Sequence, residues 1–323
     1  MDLLKELTQT YGPSGREEKI REVIKKHIGD YADEISTDAL GNLIAHKKGN
    51  GKKIMFAAHM DEIGIITTFI DDNGYLRFAP VGGLNTKDLL YRRVSFENGT
   101  IGVIGTEKEN TDKVISKMFI DIGAKDKADA EKKVSVGDMA VFCGEFTVSG
   151  DTVISKALDN RVGCYILIEA MKQIKSDNDL YFVFTVQEEV GLRGAKTAGF
   201  GVNPDYAVAV DVTDTGDTPN ADEMAVSLSK GAAVKVMDSS VLCDATVRST
   251  LIEAAKTQNI PYQLEVLNAG GTDAGAISLA RCGIKTGGIS IPTRYIHSPS
   301  EMALLSDIRA CGELLKAFAE KIK

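Results

Sequence analysis

Histidine and acidic side chains stand at the points where predicted strands end and where one predicted helix begins. They are His59, Asp61, Asp159, Glu188, Glu189, Asp211 and His297. Imidazole and carboxylate groups bind the metal in catalytic zinc sites, which leave a coordination position for water. Because isolated buried charges are costly, such a set of ionisable residues at one place requires compensation. The residue types therefore indicate a metal site suited to hydrolysis.

The number of these side chains fits two metal ions that share one carboxylate. In such sites the ions lie roughly 3.5–4 Å apart, and about three protein ligands per ion give five ligands when one is shared. We predict that one ion is bound by His59, Asp159 and Asp211, and the other by Asp159, Glu189 and His297. Glu188 is left without a metal and is predicted to be the general base and acid.

Each of these residues alone also has an ordinary structural interpretation. A histidine after a strand can be a hydrogen-bonded loop residue, and adjacent glutamates such as Glu188 and Glu189 can form a solvated turn. An aspartate such as Asp159 can cap a helix. All the positions fall on one edge of the predicted sheet, however, and independent structural roles would not require that. The combined pattern favours the metal site.

The predicted elements around these residues alternate between strand and helix. Strands are predicted at residues 53–58, 180–186, 206–211, 262–266 and 285–291, and helices at residues 161–175, 250–257, 274–280 and 301–321. This alternation indicates an α/β fold with a mainly parallel sheet that is covered by helices on both faces. Ligands of such sheets bind outside the carboxyl ends of the strands, which is where the histidines and carboxylates lie.

Residues 64–150 differ from the rest of the chain, because short predicted strands between turn residues replace the alternation of strand and helix. Recurrent short strands of this kind are typical of a small all-β domain. We therefore predict a discontinuous catalytic domain, formed by residues 1–63 and 151–323, and an inserted β-rich domain at residues 64–150.

Composition argues against several classes of protein. The net charge is −8 and no run of Lys and Arg is interleaved with aromatic residues, so nucleic acid is not an expected partner. The apolar runs are shorter than the roughly 20 residues that span a bilayer, and residues 1–10 lack the apolar centre of a signal peptide. The five cysteines are scattered and odd in number, which argues against a disulfide framework. We expect a cytoplasmic protein without a membrane partner.

Several short motifs give the chain a resemblance to a known family. They are Gly12-Pro-Ser-Gly-Arg-Glu17, His59-Met-Asp-Glu-Ile-Gly64, Ala157-Leu-Asp-Asn-Arg-Val-Gly163, Val186-Gln-Glu-Glu-Val-Gly191, Ala269-Gly-Gly-Thr-Asp-Ala-Gly275 and Ile296-His297-Ser298. In this order they resemble the M42 family of metallo-aminopeptidases over nearly the whole chain, although each motif alone is weak. Many members of that family carry a second aspartate at the position of Asn160, so this chain has one charge fewer there.

The resemblance implies the ligand set given above, with two divalent ions per subunit that are zinc or cobalt, and with manganese as a further candidate. It implies that Glu188 is the base and that Asp61 orients His59. It implies a zinc-exopeptidase-like fold in which the insert is a small PDZ-like β-barrel used in assembly. It also implies a hollow tetrahedral dodecamer that degrades short peptides, and a cis peptide bond between Asp159 and Asn160.

Gly270 and Gly271 precede Thr272 and Asp273 in a pattern that is typical of a tight turn into a helix. Such a turn can simply begin a capped helix, or it can bring the backbone close to a substrate. We predict that Gly271 and Thr272 contribute to substrate binding.

The predicted function is hydrolysis of amino-terminal residues from short peptides. In this hypothesis a hydroxide shared by the metals attacks the scissile carbonyl, and Glu188 passes the proton to the leaving amine. A deacylase or a carboxypeptidase on the same scaffold is the alternative, and dependence on a free substrate amine would separate them. A glycosidase would use two carboxylates but would leave His59 and His297 without a role. A metal-binding protein without enzymatic activity would not need Glu188.

Overall fold

The structure, a computed structural model, describes residues 1–322. Its helices are α1 Asp2–Gln9, α2 Glu18–Ile28, α3 Lys127–Glu131, α4 Leu158–Gln173, α5 Arg193–Val202, α6 Ala245–Gln258, α7 Asp273–Ser278 and α8 Leu305–Lys321. Its strands are β1 Glu34–Thr37, β2 Leu43–Lys47, β3 Lys53–His59, β4 Gly64–Ile70, β5 Leu76–Val81, β6 Arg93–Phe96, β7 Ile101–Thr106, β8 Met118–Asp121, β9 Met139–Phe142, β10 Thr147–Ser149, β11 Thr152–Ser155, β12 Asp179–Thr185, β13 Tyr206–Thr213, β14 Ala232–Met237, β15 Tyr262–Val266, β16 Lys285–Arg294 and β17 Glu301–Leu304. Among the described helices, none combines the length and the apolar character needed to cross a bilayer.

One large sheet has a parallel centre. Its strand order is β1-β2-β12-β3-β13-β16-β17-β11-β10, and β14 pairs with β16 and with β15. The neighbours β12, β3, β13 and β16 are parallel to one another. The flanking pairs β1–β2, β2–β12 and β16–β17 are antiparallel, whereas β14 and β15 are parallel. The predicted parallel sheet with covering helices is therefore confirmed at the centre, and most pairs at its margins are antiparallel.

The central strands are apolar along most of their length because helices cover both faces. β3 is buried except at its first residue. Phe56 of β3 packs against Phe182 of β12 and Phe318 of α8, with ring centroids 5.4 and 6.4 Å apart. Met55, on the other face of β3, packs in a second cluster with residues of α5 and α7. Full burial of each such side chain contributes roughly 1.5–3 kcal/mol, so polar side chains are confined to the strand ends.

Strands β4 to β9 form a closed antiparallel barrel in the order β4-β5-β8-β7-β6-β9. The barrel has an apolar core of its own, in which Leu76, Val94, Ile104 and Ile120 are fully buried. The prediction of an inserted β-barrel is thus confirmed. The short strand β10 falls within residues 64–150 but pairs with β11 in the large sheet. The domain boundaries after residues 63 and 150 stay a prediction.

The closing helix begins later than the sequence predicts. A helix was expected over residues 301–321, but β17 occupies the start of this range and α8 begins at Leu305. Within β17 the side chains of Glu301 and Ala303 are buried, and those between and after them are less so. This period of two belongs to a strand, and β17 is held between β16 and β11.

The helix predicted at residues 250–257 begins earlier, at Ala245. The reason is an N-cap, since the carboxylate of Asp244 accepts hydrogen bonds from the main-chain N–H groups of Thr246 and Val247. The prediction also lacked other elements, among them the strands β11 and β14 and the helices α3 and α5.

Candidate active site

Neighbouring parallel strands end side by side and bring the predicted ligands together. His59 is the last residue of β3 and is in register with Thr185, the last residue of β12. Asp211 lies near the end of β13, the neighbour of β3 on its other side. Glu188 and Glu189 follow β12 by a few residues. The carboxyl edge of the sheet therefore holds these side chains, as the spacing predicts.

His59 is surrounded by carboxylates. Its Nε2 lies 3.1 Å from Oδ1 of Asp159, 3.5 Å from Oδ1 of Asp211 and 3.9 Å from Oε2 of Glu188. The donor atoms of His59, Glu188 and Asp211 all lie within 4.8 Å of one another, so Glu188 is also close enough to bind a metal in this group. Of the three carboxylates, Glu188 is the most distant from the imidazole, which favours its interpretation as the base.

Asp159 faces both histidines with its two carboxylate oxygens. Its Oδ1 is 3.1 Å from Nε2 of His59, and its Oδ2 is 3.3 Å from Nε2 of His297. The same Nε2 of His297 lies 3.1 Å from Oε2 of Glu189. One carboxylate thus stands between the two predicted ligand groups, which is the arrangement that a bridging ligand needs. The peptide bond between Asp159 and Asn160 is cis, as the family resemblance implies.

Asp61 connects His59 to the loop after β12. Nδ1 of His59 donates a hydrogen bond to the main-chain oxygen of Asp61 at 3.2 Å and lies 3.5 Å from its carboxylate. The carboxylate accepts hydrogen bonds from the main-chain N–H groups of Glu188 and Glu189 at 3.0 and 3.2 Å. It also accepts one from the hydroxyl of Ser14 at 2.6 Å. These bonds orient the imidazole of His59 with Nε2 toward the other candidate ligands, and they favour the predicted role of Asp61.

The electrostatics of the site attract positive charge. Burial raises the pKa of Glu188 well above its usual range. Burial, with the charge of Asp159 added, raises the pKa of Glu189 to about 7. Although burial alone would lower the pKa of His297, the carboxylates of Asp159 and Glu189 raise it to about 12. The raised pKa values of the two glutamates show that negative charge is unfavourable in this buried site, and the protonated imidazoles or another cation would compensate it.

The donor set fits divalent metal ions. Within residues 1–322 the carboxylates of Asp159, Glu188, Glu189 and Asp211 form ion pairs with histidines and none with Lys or Arg. Oε1 of Glu189 is buried and has no hydrogen-bond partner. Buried carboxylates require a compensating cation, and mixed imidazole and carboxylate ligands suit zinc and similar ions. The residues at this edge of the sheet could therefore hold two such ions.

The candidate ligands open into a cavity of about 500 Å³. Gly271 and Thr272, the predicted substrate-binding residues, line this cavity. A Cβ atom on Gly271 would lie 3.0 Å from Cβ of Ser240, so a side chain at this position would crowd the wall. The two residues therefore lie where the prediction requires, and their contact with a substrate stays a prediction.

Two buried charged residues near the cavity were not predicted. The carboxylate of Glu301 accepts hydrogen bonds from the main-chain N–H groups of Asp159 and His297 at 2.8 and 2.9 Å. Its only sequence signal is its position four residues after His297, and the helix predicted there concealed it. Lys235 lines the cavity from β14 and pairs with buried Glu265. A lysine within an apolar strand is a signal for such a pair, but β14 itself was missed.

Asn160 is fully buried and uses both ends of its amide. Its Nδ2 donates a hydrogen bond to the main-chain oxygen of Val210 at 2.8 Å, and its Oδ1 accepts one from the N–H of Gly163 at 3.0 Å. An ionised aspartate can accept but cannot donate, so it would set an oxygen against the carbonyl of Val210. Asparagine therefore suits this position in this chain, and it is not a candidate metal ligand.

Known proteins are similar in sequence to this chain over most or all of its length. The sequence profile of the M42 glutamyl aminopeptidases matches residues 41–314. A putative aminopeptidase of Acetivibrio thermocellus is 56% identical, over 97% of this chain and 96% of its own. The lysyl aminopeptidase of Pyrococcus furiosus is 35% identical, over 100% of this chain and 97% of its own.

A solved structure has the same fold. The TET1 peptidase of Pyrococcus horikoshii, described as able to assemble into a tetrahedron or a large octahedral shell, superposes with a TM-score of 0.89. It is 37% identical to this chain, and the superposition covers 99% of each. The profile match spans most of the chain, and both relatives align over nearly all of it. The chain therefore belongs to the M42 family of aminopeptidases and is a peptide hydrolase.

Proposed function

We propose that this chain removes amino-terminal residues from short peptides at a site with two divalent metal ions. The proposed ligands are His59, Asp159 and Asp211 for one ion, and Asp159, Glu189 and His297 for the other. The observation that carries the proposal is the position of Asp159, whose oxygens lie 3.1 and 3.3 Å from the imidazoles of His59 and His297. Zinc, cobalt or manganese would suit these ligands, and when bound such ions polarise a carbonyl and lower the pKa of water.

Glu188 is the residue that we propose to move protons. Its side chain is 9% exposed and lines the cavity beside His59. Its carboxylate accepts a proton from the attacking water and returns it to the amine that leaves. Burial raises its pKa, which is the direction that favours a group that both takes and returns a proton near neutral pH. Asp61 keeps the loop of Glu188 and the ring of His59 in a fixed relation.

The proposed reaction requires a free amino group on the substrate. We expect that acetylating the amino terminus of a good peptide substrate lowers kcat/KM at least about 100-fold, because a site built for a polar group rejects analogues in which that group is blocked. Amidating the carboxyl terminus of the same peptide should have little effect. The released amino acids are measured by chromatography.

The same substrates separate the alternatives. Equal cleavage of the acetylated and the free peptide would contradict an aminopeptidase, and release of the acyl group would indicate a deacylase. Loss of cleavage after amidation would indicate a carboxypeptidase. Cleavage of a β-linked oligosaccharide that withstands a chelator would indicate a glycosidase.

The preferred amino-terminal residue is a separate question. The family is described by glutamyl substrates, whereas the relative from Pyrococcus furiosus is a lysyl aminopeptidase. In this chain the cavity-lining Lys235 is paired with Glu265 and Asp238, so its charge is already compensated. We therefore carry over neither preference, and a panel of aminoacyl chromogenic substrates, run with zinc, cobalt and manganese in turn, would rank both residue and metal.

The barrel is proposed to join copies of this chain into a homo-oligomer, with a dodecamer as the expected size. The TET1 peptidase that shares the fold assembles into closed shells. On the barrel of this chain, Phe69, Tyr91 and Val136 are 54%, 77% and 61% exposed. Exposed apolar side chains of this size can be buried by contact with another copy of the chain. We propose the barrel as the main contact on these grounds.

Deletion of the barrel tests this role. We expect that a chain without residues 64–146, closed by a short linker, forms a small species in light scattering while keeping the circular dichroism of an α/β fold. The deletion stops before β10 because that strand pairs with β11 in the large sheet. The core of the large sheet is separate from that of the barrel, so its packing should survive. A large shell formed by the shortened chain would contradict the proposed role.

The cytoplasmic location stays a prediction. All five cysteines are free in the structure. Thiols of this kind are usual in a reducing compartment, and we keep the cytoplasm as the proposed location on that ground.

A further inference from the structure

A single buried carboxylate, that of Glu301, holds the main chain of two candidate ligands. Its Oε2 accepts a hydrogen bond from the N–H of Asp159 at 2.8 Å, and its Oε1 accepts one from the N–H of His297 at 2.9 Å. The residue is only 2% exposed. Glu301 does not line the cavity of about 500 Å³ into which the candidate ligands open, although it lines a small adjoining one with Asp159 and Glu189. Its hydrogen bonds to the ligands are to their main chain, so it acts on them through the backbone.

The elements around Glu301 make it a fixed point. It is the first residue of β17, where it is paired with Ser155 of β11. The chain leaves β16 after Arg294 and returns at Glu301, and His297 lies in the short loop between them. His297 has a φ of 62°, a left-handed conformation that is unfavourable for a residue with a side chain. The hydrogen bond to Glu301 helps to hold this loop in that conformation.

We propose that Glu301 is a positioning residue that sets the distance between the shared ligand Asp159 and His297, and thereby the affinity for the second ion. This inference rests on the proposed metal site. Asp61 has a similar positioning role beside His59. It accepts hydrogen bonds from the ring of His59 and from the main chain of Glu189. Groups that hold metal ligands in this way change metal affinity about 10–100-fold when they are lost.

The chemistry of the contact requires a carboxylate. Both partners of Glu301 are N–H donors, and a carboxylate offers an acceptor oxygen to each. A glutamine of the same size has one oxygen and one NH₂ group, so it would satisfy one donor and set a second donor against the other. The substitution Glu301→Gln therefore breaks one of the two bonds and leaves the volume of the side chain unchanged.

A second buried carboxylate provides a control for the loss of folding stability that Glu301→Gln causes by breaking a hydrogen bond. Asp307 is also buried, and its two oxygens accept hydrogen bonds from the N–H groups of Ser229 and Gly231, both at 2.8 Å. It lies in the first turn of α8, and neither of these two hydrogen-bond partners is a candidate ligand. Asp307→Asn thus removes the same kind of double acceptor without approaching the site.

The test is a cobalt titration of the metal-free full chain, followed by calorimetry and by the visible absorption of the bound cobalt. We expect the wild-type chain to bind two ions per chain. Glu301→Gln should weaken one of the two binding steps about 10–100-fold and change the absorption of that ion. Asp307→Asn should lower the melting temperature to a similar degree and leave both binding steps unchanged.

Each outcome separates this inference from the function on which it rests. A wild-type chain that binds fewer than two ions would contradict the proposed two-metal function. Two wild-type steps that Glu301→Gln leaves unchanged would overturn the positioning role alone, as would equal losses in Glu301→Gln and Asp307→Asn. If Glu301→Gln does not fold, Glu301→Asp keeps the charge but shortens the reach, and the same weakened step is expected. Wild-type affinities in Glu301→Asp would then overturn the role.

Discussion

Glu188→Gln should lower kcat at least ~100-fold while two metal ions remain bound. Glutamine keeps the size of the side chain but cannot accept a proton from water. In the structure Oε2 of Glu188 is the most distant of the carboxylate oxygens around His59, at 3.9 Å. The substitution removes none of the proposed ligands, so the metal ions should stay bound. Turnover is measured on a free-amine peptide and metal content by elemental analysis of the same sample.

The metal content decides between two roles for Glu188. Its donor atom also lies within 4.8 Å of those of His59 and Asp211, so it could be a ligand instead of a base. Loss of turnover together with loss of one ion would show that it binds metal. Near-normal turnover with two ions would remove it from the mechanism. Asp214→Asn is the matched control, because it takes one carboxylate from the same cavity and should cost far less in kcat.

Asp159→Ala should release both metal ions, whereas His59→Ala should weaken mainly one. Asp159 presents one oxygen toward His59 and the other toward His297, so its loss removes a ligand from both groups. Loss of a group that merely holds a ligand costs about 10–100-fold in affinity. Loss of the shared ligand should therefore lower the affinity for each of the two ions more than ~100-fold. Stepwise titration with cobalt and elemental analysis measure this.

The pair of variants makes the bridge testable without reference to activity. His297→Ala should be the mirror image of His59→Ala and weaken the other binding step. The Asp159 variant should fold, because alanine keeps the main-chain N–H that donates a hydrogen bond to Glu301. Circular dichroism checks that it does. Two ions retained by folded Asp159→Ala would refute the bridge and leave the remaining ligand assignment to be redrawn.

The candidate ligands could be predicted because each obeys a local rule of chain geometry. His59 and Asp211 lie at the carboxyl ends of β3 and β13, where parallel sheets place their ligands. The central strands can be recognised in the sequence by continuous apolar runs, since both their faces are covered. Because polar residues follow these runs directly, the sequence was enough to predict that the candidate ligands lie on one edge of the sheet.

The partners of the ligands were harder to predict because they depend on pairing between distant segments. Glu301 begins a strand because β17 pairs with β16 on one side and β11 on the other. In the sequence alone, β17 cannot be distinguished from the start of helix α8, which follows it directly. Lys235 is buried because Glu265 stands opposite on β15, and this pairing joins residues that are far apart in the chain. No periodicity within one segment contains that information.

The central claim is that two metal ions held by these residues are needed to cleave peptides from a free amino end. The most direct test is to titrate the metal-free chain with cobalt while the hydrolysis of a free-amine peptide is followed. We predict no turnover without metal and a rate that rises until two ions are bound per chain. The claim would be contradicted by full turnover of the metal-free chain, or by a rate that reaches its maximum when one ion is bound per chain.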